Sequence, residues 1–338
     1  MTTTKERFKE IFEKIKETKI GIYGDFCLDA YWVLDPRGSE VSLETGLKAS
    51  AVAEQYYSLG GASNVAANLS VLNPKEIRAF GIYGDDVFGK EMISQLNSIN
   101  VNTDGMIIQT DNFDTYTFSK LLLNGKEQPR IDFGIYNKRS DKSDNKLIEA
   151  IKNAVDEVDI FILNQQVPNS ITNLEFIKNL NEIINNNSEK IFVLDSRHFA
   201  DKFENVSYKV NNLEAAKLSG AFLKDNAIYD NQELEQIAQE LYNKTNKPVF
   251  ITRGENGILA FDNSGFNSVE GIKLDTELDI VGAGDTVLSA LACTLGAGCN
   301  IQESIELANI AAAVTVQKLH TTGTANEKEI LALLGTID

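Results

Sequence analysis

The chain has 338 residues, 43% of them hydrophobic and 24% charged, a globular composition that excludes a disordered chain. Its formal net charge of −17 excludes nucleic acid as the main partner, because a phosphate backbone demands a basic face. An anionic small substrate stays open, since a binding site is set by local groups and not by net charge.

In chain order, the first stretch, Met1 to Lys19, is polar and charged, unlike a secretory signal. No uninterrupted apolar run reaches the roughly 20 residues that span a bilayer, so a cytoplasmic chain with no membrane partner is expected. Helical periodicity covers residues 5–16, 62–72, 88–99, 147–155, 172–184, 231–242, 284–295 and 301–318. Short apolar β-rich runs occupy residues 20–23, 78–83, 159–163, 191–194, 249–252 and 257–261. These runs are apolar on both faces and alternate with the helices, which predicts a doubly wound α/β fold around a mainly parallel sheet. Residues 31–58 and 106–133 break the rhythm, and 115–123 alternates as antiparallel strands do. Both segments are expected in a small sheet standing off the main one as a lid, although ordinary edge strands fit the same pattern. With 5 prolines and no linker-like stretch, one domain over residues 1–338 is expected. Cys27, Cys293 and Cys299 form neither a CxxC pair nor a disulfide framework, so reduced thiols are expected.

The strongest chemical signal is Asp279-Ile280-Val281-Gly282-Ala283-Gly284-Asp285-Thr286 at the start of a helix. Small residues there let backbone N–H groups approach a phosphate, and the helix N-terminus favours negative charge. Asp285 falls in the first turn, where a carboxylate can orient a hydroxyl and accept its proton during phosphoryl transfer. A plain helix cap would look the same. It is not a dinucleotide fingerprint, since Val287 stands at the third glycine of GxGxxG, and no GxxxxGK[ST] occurs in the chain. Two further segments suit a sugar. Gly60-Gly61-Ala62-Ser63-Asn64 opens a helix, and the Asn64 amide can both donate to and accept from hydroxyls. Gly24-Asp25 follows the first strand, so its carboxylate reaches the crevice at the strands' carboxyl ends. Each alone reads equally as a turn or cap.

Taken together and in order, these motifs resemble the ribokinase-like, or PfkB, carbohydrate kinases over nearly the whole chain. Residues 60–68 and 279–286 resemble the family's two signatures. Gly84-Asp85-Asp86-Val87-Phe88-Gly89 is similar to its GDDxxG, Asn211-Asn212-Leu213-Glu214 to its NxxE and Thr252-Arg253-Gly254-Glu255-Asn256-Gly257 to its TxGxxG loop. The resemblance implies a three-layer α/β/α sandwich with a small β-sheet lid. It implies ATP and Mg²⁺, with Asp285 as base and Gly282, Ala283 and Gly284 as anion hole. Glu214, with Asn211, would hold Mg²⁺ through water. Thr252, Gly254 and Gly257 would line the nucleotide site, with Asn309 and Ala312 flanking adenine. Asp25, Asp29, Gly60, Gly61, Asn64 and Arg130 would face the sugar. Some family members also bind K⁺, which here would use Asp279 and Val281 and the stretch near Thr321 to Gly323; Ile280 replaces a common threonine, which leaves K⁺ activation open.

Within the family the chain most resembles the kinases of heptose 7-phosphate. Gly24-Asp25 through Leu28-Asp29-Ala30-Tyr31-Trp32 is similar to their GDxxLDxYW, Ser42-Leu43-Glu44 to their SPE and Arg130-Ile131-Asp132 to their RxD. Two departures fall where a substrate is read: Asn164-Gln165-Gln166-Val167-Pro168 replaces a Ser-Asp-Tyr segment with its lysine, and Thr45-Gly46-Leu47-Lys48 replaces an APVPV stretch. Lys120, Arg130 and Arg197 are cations for a substrate phosphate, or surface and salt-bridged residues. The expectation is therefore a sugar or sugar-phosphate kinase and a homodimer joined by the lids. A non-catalytic sugar-binding protein on the same fold, or a nucleoside kinase of the family, are the alternatives. The first would have no need for Asp285, Gly282, Gly284 and Glu214 together.

Overall fold

The computed structural model describes residues 1–168, 170–171, 173–221, 229–319 and 322–337. Among them a nine-stranded sheet runs through the centre. Its strands in chain order are β1 (Lys19–Gly24), β4 (Glu76–Gly84), β5 (Val101–Gln109), β9 (Ile160–Gln165), β10 (Ile191–Ser196), β11 (Ser207–Asn211), β12 (Val249–Thr252), β13 (Ile258–Asp262) and β14 (Gly265–Val269). The spatial order is β14-β13-β12-β11-β10-β9-β1-β4-β5. From β12 to β5 all neighbours are parallel, and the β13–β14 hairpin closes one edge antiparallel. The chain leaves β1 toward β4 and β5, then returns to build outward from β9. The loops after β1 and β9 therefore diverge, and a crevice opens between them at the strands' carboxyl ends.

Helices cover both faces, because the strands are apolar on both. One layer holds α1 (Lys5–Ile15), α2 (Ala62–Leu72), α3 (Val87–Ser98), α8 (Ala283–Gly296), α9 (Ile301–Thr315) and α10 (Glu327–Ile337), around a core that includes Phe8, Val65, Leu69, Leu291 and Ile305. The other holds α4 (Asp141–Ala154), α5 (Leu174–Asn186), α6 (Asn212–Ser219) and α7 (Asn231–Thr245), around Leu147, Phe161, Phe176, Phe192 and Leu234. Local chemistry sets the helix starts. Asn211, Asp230 and Asn300 each close a reciprocal capping box with a glutamate three residues on, at Glu214, Glu233 and Glu303.

A smaller sheet contains β2 (Phe26–Leu34), β3 (Val52–Gly61), β6 (Tyr116–Leu123), β7 (Lys126–Glu127) and β8 (Ile131–Phe133). It begins further into the chain's core than the irregular stretches suggested: β2 starts at Phe26 and β3 runs to Gly61. The second stretch needs correction. Residues 106–109 belong to β5, paired parallel with β4 in the main sheet, because Met106 packs into the core beside α2 and α3 residues while the alternation begins only at Tyr116. Strands β11 and β14 and helices α6 and α10 also lie where no element was expected. Asp86 joins the two sheets: its Oδ1 caps α3 by accepting from Gly89 N at 2.7 Å, and its Oδ2 accepts from Thr115 N at 2.7 Å, just before β6. The helix beginning expected at residue 172 lies outside the described residues.

Leu291, fully buried in the middle of α8, tests the core. Leu291→Ala should lower the unfolding free energy by about 2–5 kcal/mol in urea titrations. A loss under about 1 kcal/mol would show that the α8 layer is not packed as described.

Candidate active site

Helix α8 starts at Gly282, whose φ of 81° is left-handed and suits a residue without Cβ. The backbone then turns through Ala283 and Gly284, and Asp285 falls in the first turn. Helix α2 begins beside it, after Gly61. Asn64 Nδ2 donates to Asp285 Oδ2 at 2.7 Å, and a Cβ on Gly282 would lie 3.2 Å from the same amide nitrogen. Thus base candidate, anion-hole turn and amide converge on one spot. Asn64 is itself held: Asn68 Nδ2 donates to its backbone oxygen at 3.0 Å, and Thr286 Oγ1 donates to Asn68 Oδ1 at 2.7 Å. Thr286 Oγ1 also lies 3.1 Å from Thr315 Oγ1, which ties α9 into the same network.

Burial raises the Asp285 carboxyl to about 6; the Asn64 hydrogen bond pulls it down, the Asp195 charge pushes it up, and Lys209 and Arg197 pull it down. A carboxyl near neutrality is well matched to accepting a hydroxyl's proton.

Across the crevice, Asp25 is buried behind the end of β1. Its Oδ2 accepts from Gln166 N at 2.7 Å and Val167 N at 2.8 Å, so the first loop of the switch point grips the second. Burial raises its carboxyl, and the Val167 and Gln166 backbone N–H groups offset part of that rise. Gln165 braces the same corner: Ser196 Oγ donates to its Oε1 at 3.0 Å, and His198 N at 3.1 Å.

On the smaller sheet, Asp29 and Tyr31 of β2 stand opposite Phe118 and Lys120 of β6, so the four share a face. Lys120 Nζ donates to Asp29 Oδ2 at 2.9 Å and to Tyr31 Oη at 3.1 Å. Gly60 backs Asp29, since a Cβ there would lie 3.3 Å from its Oδ1. Arg130 is ion-paired with Asp132, and its guanidinium covers the Phe118 ring with 4.5 Å to the centroid. Its charge is therefore balanced within the sheet.

The nucleotide-side candidates gather at the other end of the crevice. Asn211 and Glu214 are the capping box of α6, with Asn211 N donating to Glu214 Oε2 at 2.9 Å and Glu214 N to Asn211 Oδ1 at 3.0 Å. The two residues expected to serve Mg²⁺ are thus already locked together at a helix N-terminus. Thr252 ends β12, and its Oγ1 donates to Val210 O at 3.4 Å. Gly257 has φ 85°, and a Cβ on it would clash with Val269 O, so the Gly254–Gly257 loop lies backbone to backbone on the end of β14. Asn309 Nδ2 donates to Glu270 O at 3.0 Å, which clips α9 to the segment just after β14, and Ala312 follows three residues along the helix. Among the described residues no group of three or more His, Cys, Asp or Glu could hold a metal. A lone carboxylate such as Glu214 suits a hydrated ion such as Mg²⁺, which keeps its waters. Asp279 N donates to Val316 O at 2.8 Å and Val281 N to Asp279 Oδ1 at 3.0 Å, so the loop ahead of the Gly282–Gly284 turn is fixed to the end of α9. Thr321, the other part of the K⁺ expectation, lies outside the described residues.

Two residues at this site were not singled out from sequence. Asp195 is the penultimate residue of β10, and Lys209 on the adjacent β11 places Nζ 2.7 Å from Asp195 Oδ2. The one available signal was a lysine in the otherwise apolar run before NxxE.

The pfkB family carbohydrate kinase signature matches residues 22–329. The protein named bifunctional protein HldE from Aliarcobacter butzleri is 28% identical over 317 residues, covering 91% of this chain and 63% of that protein. Its namesake from Helicobacter pylori is 28% identical over 317 residues, covering 94% and 66%. The chain thus spans less than two thirds of the length of these curated relatives. Escherichia coli phosphofructokinase-2, solved in complex with potassium, superposes with a TM-score of 0.73 at 17% identity, covering 95% of this chain and 99% of that one. Thermotoga maritima ribokinase gives 0.70 at 21% identity, covering 94% and 99%. At those identities the two structures establish the ribokinase-like fold. The signature spans both sheets and the crevice between them, and the chain belongs to the pfkB family of carbohydrate kinases.

Proposed function

We propose that this carbohydrate kinase transfers the γ-phosphoryl group of ATP to a hydroxyl of a sugar phosphate, with Asp285 as general base. The observation that carries the reading is the 2.7 Å bond from Asn64 to Asp285 beside the Gly282–Gly284 turn. It aims one carboxylate oxygen at the place where backbone N–H groups can receive a phosphoryl group. The acceptor hydroxyl gives its proton to Asp285 as its oxygen bonds to phosphorus, and the bond from phosphorus to the ADP oxygen breaks. The anion hole is the Gly282–Ala283–Gly284 turn at the start of α8, whose backbone and helix N-terminus face the charge on the moving group once the Ala283 N–H gives up its 3.2 Å bond to Ile280 O. Asp25 and Asn64 orient the sugar from opposite sides of the crevice, and the smaller sheet acts as a lid that excludes water. Mg²⁺, held through water by Glu214 with Asn211 behind it, would offset the charge of the ATP phosphates. Thr252, Gly254, Gly257, Asn309 and Ala312 would bound the nucleotide. K⁺ would sit on the carbonyls of Asp279 and Val281, next to the anion hole.

For the acceptor we favour the heptose 7-phosphate class, on the resemblance at residues 24–32, 42–44 and 130–132. In that reading Asp29 and Arg130, with Lys120, meet the end of the sugar distant from the reacting hydroxyl. The test is ADP release with ATP and Mg²⁺, in K⁺ and in Na⁺, across hexoses, pentoses, nucleosides and sugar phosphates including heptose 7-phosphate. Asp285→Asn should lower kcat about 10²–10⁴-fold on the preferred acceptor while KM moves only a few-fold. Undiminished turnover in that variant would remove Asp285 as base. Turnover confined to nucleosides would overturn the acceptor assignment.

The connection between β2 and β3 exposes Val41, Leu43 and Leu47, and the smaller sheet exposes Val52, with Tyr31 and Tyr56 stacked at 4.6 Å. Strand β3 lies at its edge with unpaired backbone groups. A homodimer joined lid to lid would cover both. Light scattering should give twice the chain mass, and Leu43→Glu with Leu47→Glu should halve it; a monomer mass in the unaltered chain at every concentration would sink this assembly.

A further inference from the structure

Lys209 presents an unusual combination. It is 6% exposed and Asp195 is 7% exposed, so both charges are buried. They lie on adjacent parallel strands, one residue beyond the paired Leu194 and Tyr208, toward the side where the crevice opens. A buried ion pair is seldom the most stable filling for such a place, because desolvating two charges costs several kcal/mol and apolar side chains of similar volume often do better. An ammonium also carries three donors. Asp195 Oδ2 takes one, and among the described residues no other protein acceptor is recorded for Lys209. Its direction is informative: a Cβ on Gly284 would lie 3.2 Å from Nζ, so the ammonium reaches the anion-hole turn itself.

The charges around it define a line. Burial pulls the Lys209 ammonium down, but Asp195 more than offsets this, and Asp285 and Glu214 act in the same direction, so the group stays charged. Asp285 stands on the acceptor side and Glu214 on the nucleotide side. Lys209 is thus within electrostatic reach of both sides of the crevice.

We infer that Lys209 is a further catalytic residue, whose free ammonium N–H groups bond the phosphoryl group as it passes from ATP to the acceptor, with Asp195 as the positioning residue that holds it there. This inference rests on the kinase reading above. Lys209 exchanges no proton: the acceptor's proton goes to Asp285, the oxygen–phosphorus bond forms, and the bond to ADP breaks with its electron pair on the ADP oxygen. Lys209 keeps one hydrogen bond to Asp195 and matches the charge on the equatorial oxygens with the others. Gln166, whose Nε2 lies 3.3 Å from Asp195 Oδ1, keeps that carboxylate from turning away. Because Gly284 has no side chain, nothing of the helix separates Nζ from the phosphoryl position.

The test removes both charges together, so that no lone buried carboxylate is left. Lys209→Met with Asp195→Asn is compared with the unaltered chain and with Asp195→Asn alone. Thermal melts confirm that each is folded. The double variant should lose about 10²–10³-fold in kcat, with acceptor KM within a few-fold. Independently of turnover, calorimetry with the non-transferable analogue AMP-PNP and with ADP, each with Mg²⁺, reads the γ-phosphoryl contact. The unaltered chain should prefer AMP-PNP over ADP by at least tenfold more than the double variant does. A folded double variant with kcat within about threefold of the unaltered chain and the same preference would overturn the inference and leave the pair structural. If the unaltered chain turns over no acceptor, the kinase reading fails, and the nucleotide preference alone then decides whether Lys209 meets a terminal phosphate.

Discussion

The hydrogen bond from Asn64 to Asp285 is the contact on which the site depends. It spans 221 positions of sequence and joins the first turns of α2 and α8. Both helices enter through glycine, at Gly61 and Gly282, so their first turns approach without Cβ atoms between them. Behind that bond, Asn68, Thr286 and Thr315 pass the constraint from α2 through α8 to α9. An Asx or Thr side chain in a helix interior costs some helix propensity. Here that cost is offset by a polar network with partners on three helices, which fixes the direction of one carboxylate. Rotating Asp285 away would leave Asn64, at 2% exposure, with an unmet donor.

The rest of the site follows from where the sheet changes direction. Strands β1 and β9 are neighbours, and their following loops separate to open the crevice. Asp25 then draws Gln166 and Val167 back toward β1 and sets the crevice width. The smaller sheet grows out of the same loops, since β2 begins two residues after Gly24 and β3 runs directly into α2. A movement of that sheet is therefore coupled to Asn64 through the Gly60–Gly61 turn. The nucleotide-side residues are placed differently, by caps and close backbone packing: Asn211 with Glu214, and Gly257 against Val269. These contacts are made by the chain's own caps and backbone, the kind of fixed geometry a preorganised site uses.

Much of this was legible in the sequence. Helix α2 matched its expected bounds because Gly-Gly precedes a clean apolar period, and the strands β1, β4, β9, β10, β12 and β13 showed as apolar runs between helices. The signatures around Asn64 and Asp285 were readable as motifs, but their meeting was not, because nothing local encodes a contact between residues so distant. The misplaced stretch at 106–109 shows a related limit. Strand β5 is an edge strand with alternating exposure, which looks the same in sequence as the strands of the smaller sheet. Strand β11 escaped notice because Lys209 interrupts its apolar pattern, and that lysine is the residue the further inference concerns. For Arg130 the sequence left open a substrate-phosphate contact or a salt bridge, and the fold pairs it with Asp132, two residues on.

In the proposed mechanism Asp285 is a base whose proton affinity is set by its burial and by Asn64. The most direct measurement is the pH dependence of kcat/KM from about pH 5 to 8, for the unaltered chain and for Asn64→Ala. With Asp285 raised to about 6, kcat/KM should rise with pH through that value as the carboxyl loses its proton and level off above it. Removing the Asn64 amide takes away a bond that favours the charged carboxylate, so the rising limb should move to higher pH. A flat profile in the unaltered chain, or a limb that stays in place in Asn64→Ala, would contradict the account.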